Sequence, residues 1–71
     1  MMDIHNYSQE RLKEAIETGN KKSLTHISFL VKDAEDVIRS IYKSTGLVTM
    51  IKATKPTDQG DICNLRILNE D

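Results

Sequence analysis

Between Leu24 and Leu68 the spacing of apolar residues changes twice, from a period of two to about 3.6 and back to two. That pattern spells strand, helix, strand, strand, and a shorter amphipathic stretch around Leu12 precedes it. A chain of 71 residues that commits this much of itself to scaffold has little left for a lid, a cofactor loop or a deep cleft. The expected fold is α+β in the order α-β-α-β-β, with a three-stranded mixed sheet and both helices on one face. Residues 1–71 are expected to form a single domain, with 1–6 and 69–71 loose.

The individual elements follow from their punctuation. Ser8 is a suitable N-cap, Tyr7 can staple to Leu12, and Gly19 can close the first helix in the left-handed conformation. Asn20 to Ser23 reads as a link. Leu24 to Val31 reads as a strand, with Ile27, Phe29 and Val31 on one face and His26, Ser28 and Leu30 on the other. Asp33 is the expected cap of the second helix, which Gly46 stops; Ala34, Val37, Ile38, Ile41 and Tyr42 form its apolar face. Leu47 to Thr54 and Ile62 to Leu68 read as an antiparallel hairpin around a turn at 55–60. A right-handed crossover through the helix leaves the first two strands parallel.

Many function classes find no support in these residues. Ten basic residues against eleven acidic ones give a net charge of −1, so there is no global field to concentrate the chain on nucleic acid or membrane. The apolar runs are far shorter than the ~20 residues of a membrane span, and the first residues lack a secretory pattern. The single Cys63 leaves no internal disulfide, and with the missing export pattern it suggests the cytoplasm. His5, His26 and Cys63 are not paired in the manner of a structural zinc site, so no metal is expected. Gly19, Gly46 and Gly60 stand alone rather than in a phosphate loop, and no cofactor is expected. No Ser or Cys is placed beside a His and an acid, so no catalytic residue is assigned and the chain is expected not to be an enzyme.

Binding remains. A domain this small buries only about 60% of its unfolded surface, and a partner is the most available further source of stability. The sheet face turned away from the helices mixes apolar and polar residues, as a docking surface does. Its members, with the adjoining edge strand, are His26, Ser28, Leu30, Met50, Lys52, Asn64, Arg66 and Leu68. The expected function is a non-enzymatic module, a regulator or inhibitor that binds a protein partner or pairs with itself as a homodimer through the uncharged strand Leu24–Val31. The alternative is a nucleic-acid-binding accessory protein using Lys52 and Arg66. Its affinity is expected to be weak, because Tyr7, Phe29 and Tyr42 are assigned to the core or its edges rather than to base stacking. A third reading is a small-ligand sensor built from paired βαββ units.

Overall fold

A computed structural model describes residues 3–69, so Met1, Met2, Glu70 and Asp71 lie outside the described residues. The element order is α1 (Ile4–Thr18), α2 (Lys21–Thr25), β1 (Phe29–Leu30), α3 (Val31–Thr45), β2 (Thr49–Thr57) and β3 (Gly60–Ile67). The class is α+β, with three helices over a three-stranded sheet of order β1-β3-β2. Every neighbouring pair is antiparallel, which corrects the mixed sheet. β1 and β2 do share a direction, since both oppose β3, but β3 lies between them and no parallel pair forms.

The first helix begins a turn earlier than its sequence suggests. Asp3, extended at φ −77°, accepts from the Asn6 N–H at 2.7 Å and caps it, so residues 4–6 are helical rather than loose. Ser8 is then an interior residue, fully buried, and its hydroxyl donates to the His5 carbonyl at 3.0 Å. Gly19 closes the helix at φ 69°. Asn20 immediately caps α2 by accepting from the Ser23 N–H at 3.3 Å, which turns the expected link into a helical turn.

That extra turn explains the largest departure from expectation. Leu24 enters the core from α2, and α3 starts at Val31, so the strand expected over Leu24–Val31 shrinks to Phe29–Leu30. Burial of Leu24 and Ile27 against α1 outweighs the β propensity of the stretch. α3 begins two residues before Asp33, which sits in the first turn instead of capping it, and ends at Gly46 with φ 78° and its N–H donating to Tyr42 O at 2.8 Å. Ala34, Val37 and Ile41 are buried and Ile38 is half-buried, but Tyr42 is 58% exposed and does not belong to the apolar face.

All three helices feed one core. Leu12 and Ala15 of α1, Leu24 of α2, and Ala34, Val37 and Ile41 of α3 meet Phe29, Cys63 and Leu65 on a single face of the sheet. The hairpin outgrows this cover. The turn contracts to Asp58-Gln59, with Pro56 inside β2, where an edge strand tolerates it. A nine-residue strand spans about 30 Å, most of the molecule's 35 Å length, and Met50 through Pro56 are all exposed.

Candidate binding surface

The uncovered face of the hairpin is fixed by its register. Met50 lies opposite Arg66, Ala53 opposite Asn64 and Lys55 opposite Ile62. Alternation puts Val48 on the same face as Met50, and the Leu68 N–H donates to Val48 O at 2.8 Å, which brings the two side chains level. Asn69 clamps the root of the hairpin: its Oδ1 accepts from the Val48 N–H at 2.8 Å and its Nδ2 donates to Gly46 O at 3.2 Å. Asn69 is therefore tied in rather than loose, and the rest of the end expected to be loose, Glu70 and Asp71, lies outside the described residues.

Met50 (44% exposed), Leu68 (51%) and Val48 form an exposed apolar group on that face at the root, while Ile51, paired with Leu65, is exposed on the opposite face. Arg66 stands beside Met50, and Lys52 falls at a bulge between Ile51 and Ala53. Asn64 is half-buried, its Nδ2 donating to Ile27 O at 3.2 Å, so it fastens the stretch before β1 to β3. Leu30 is not available to a partner. It is 4% exposed and lies against the start of β3, its Cδ2 3.8 Å from where a Cβ on Gly60 would stand. His26 and Ser28 sit apart from the root of the hairpin, in a cleft between α1 and Ile62 of β3.

The expected surface thus divides. Met50, Arg66 and Leu68 are brought together, with Lys52 nearby on the same strand, while His26 and Ser28 belong to a different place. Val48 joins the first group and Ile51 is exposed on the opposite face; the signal for both was the run Leu47–Ile51, which supplies apolar residues to both faces. The edge also changes hands. β1 lies at one side of the sheet, but it is two buried residues long, so the extended free edge is that of β2.

Cys63 is buried on the helix-facing side, and removal from water raises its thiol pKa. Among the described residues no three His, Cys, Asp or Glu side chains gather to hold a metal ion. No helix there is long and apolar enough to cross a membrane. Tyr7 (55% exposed) and Tyr42 are open to solvent, so neither belongs to the core itself, and both lie on helices rather than on the sheet. Comparison with models of known families, with curated proteins and with solved structures finds no match.

Proposed function

We propose that this chain is a small non-enzymatic interaction module, a regulator or inhibitor that acts by pairing a protein strand with the root of β2. The uneven protection of that edge carries the reading. An edge strand presents unpaired backbone donors and acceptors, which natural domains blunt with charge, Pro or a bulge. In β2 these devices lie distally: the bulge at Lys52, then Lys55 and Pro56. The root, Thr49 to Ile51, has none of them; Val48, Met50 and Leu68 are exposed on its open face and Ile51 on the other. An incoming strand can take the main-chain hydrogen bonds while the apolar group takes its alternate side chains.

A buried thiol that holds its proton is a poor nucleophile, which supports binding without catalysis and suits a reducing compartment such as the cytoplasm. Affinity capture with the full chain, with and without nuclease and repeated with Met50→Glu, tests the proposal. A protein partner that survives nuclease and is lost with Met50→Glu supports it. Capture unchanged by Met50→Glu overturns the edge as the site. Loss to nuclease favours weak nucleic-acid binding, for which Lys55 and Arg66 on the open face would supply phosphate contacts.

A further inference from the structure

Ile4, Tyr7 and Arg11 recur at i, i+3 and i+7, which places them on one face of α1. Across from them run His26, Ile27 and Ser28, the stretch that Asn64 fastens to β3, and Ile62 completes the enclosure. The space between is a cleft of about 360 Å³, within the lower range of small-molecule sites. Its walls are of two kinds. Three isoleucines and the Tyr7 ring supply apolar surface, while Arg11, His26 and Ser28 supply polar heads.

The polar heads are uncommitted. Among the described residues the Arg11 guanidinium has no ion pair, and neither it nor the His26 ring nor the Ser28 hydroxyl has a hydrogen-bond partner. No carboxylate lines the cleft. Arg11 brings a permanent positive charge and a fork of donors matched to a carboxylate. Ser28 and one nitrogen of the His26 ring can donate as well. A fully polar anion would gain nothing from the isoleucines, and a neutral apolar molecule would make no use of the guanidinium's charge.

We propose that this cleft binds a small free carboxylic acid with an apolar body, about one ring and a short chain in size. The carboxylate lies on Arg11 with Ser28 in support, and the body lies against Ile4, Ile27 and Ile62. The site is formed within one chain, is distinct from the root of β2, and does not depend on the partner reading.

Amide chemical shifts of the labelled full chain test this, with 4-phenylbutyrate as probe, 4-phenylbutyramide as its uncharged counterpart and inorganic phosphate as the bare anion. The expected result is saturable movement of the Tyr7, Arg11, Ser28 and Ile62 amides by the acid, at roughly millimolar concentration for so small a ligand. The amide and phosphate should bind at least about tenfold more weakly, since each lacks one of the two recognised features. Arg11→Gln keeps a helix-forming residue and should weaken the acid by about tenfold or more, with the spectrum otherwise preserved. Ser28→Ala should give a smaller loss. No saturable shift at these amides, equal binding of acid and amide, equal binding of phosphate, or indifference to both substitutions overturns the proposal.

Discussion

His5 and Asp33 meet at 2.7 Å, ring Nδ1 to carboxylate Oδ2, and so join the first turns of α1 and α3. A carboxylate only accepts, which places the proton on Nδ1. Both groups reach solvent, so the pair is a modest latch and not a determinant of the fold. A double-mutant cycle with His5→Ala and Asp33→Ala should return a coupling of about 0.5–1 kcal/mol in urea unfolding. Strict additivity would mean that the pair contributes nothing and that α1 is held by its packing and the Ile4 N–H to Gln59 bond.

Among the described residues, Thr49 is the one place where a buried polar side chain lacks a partner. Its Oγ1 is out of solvent and makes no hydrogen bond among the described residues. A hydroxyl that has lost water without replacement costs about 1–3 kcal/mol, and a Val of nearly the same shape avoids that cost. Thr49→Val should therefore raise stability by about 1 kcal/mol and shift the thermal midpoint upward. A lower midpoint would reveal a partner for the hydroxyl in solution.

On α3 the sequence treats Ile38 and Ile41 as equals, and the fold does not. Ile41 is fully buried between the helices and the sheet, whereas Ile38 is half-buried at the margin of the core. Ile41→Asp should unfold the domain, because an unpaired buried charge costs several kcal/mol against a total of about 5. Ile38→Asp should leave native amide dispersion with a loss of about 1–2 kcal/mol. Equal behaviour of the two variants would contradict this placement of α3.

How far the sequence spoke for itself depended on whether a signal was local. Gly46 and the Ala34, Val37, Ile41 spacing marked α3, and the Ile62–Leu68 alternation marked β3 with Cys63 and Leu65 facing inward. The errors lie where two local signals competed. Asp3 and Ser8 are both good caps, and only the burial of Ser8 decides between them. Leu24–Val31 has strand propensity throughout, yet the cap at Asn20 and the core position of Leu24 claim Leu24 and Thr25 for a helix, and α3 claims Val31. The hairpin surface was half legible, since Met50, Arg66 and Leu68 follow from alternation. The cleft was not, because Ile4, Tyr7 and Arg11 meet Ser28 and Ile62 only through tertiary packing.

Cys63 sets an alkaline limit. Burial raises its thiol above the ordinary value of 9.0, so near that pH the folded chain holds a proton that the unfolded chain gives up. Its contribution to stability is level through neutral pH and falls as pH rises from the unfolded thiol's range through the higher folded value. Cys63→Ala should lower stability by about 1 kcal/mol at pH 7 and flatten the alkaline slope. In the wild type a thiol reagent should label Cys63 only as fast as the domain opens. Immediate labelling under native conditions would place the side chain outside the core.

Assembly is the last test, because the free edge belongs to β2. Two copies that pair their β2 roots antiparallel extend one sheet across a two-fold axis, the commonest symmetry of small oligomers. Val48 and Met50 of each copy would then stand beside their counterparts across the new strand pair, which removes part of their apolar surface from water. Sedimentation at tens of micromolar should show a species of about twice 8.1 kDa. Met50→Glu should return it to the single-chain mass without loss of fold, since the new carboxylate stands opposite Arg66 and makes a favourable cross-strand pair. A wild type that stays at 8.1 kDa rules out self-pairing and leaves the same edge to a different protein strand. A dimer that persists in Met50→Glu moves the interface away from β2 altogether.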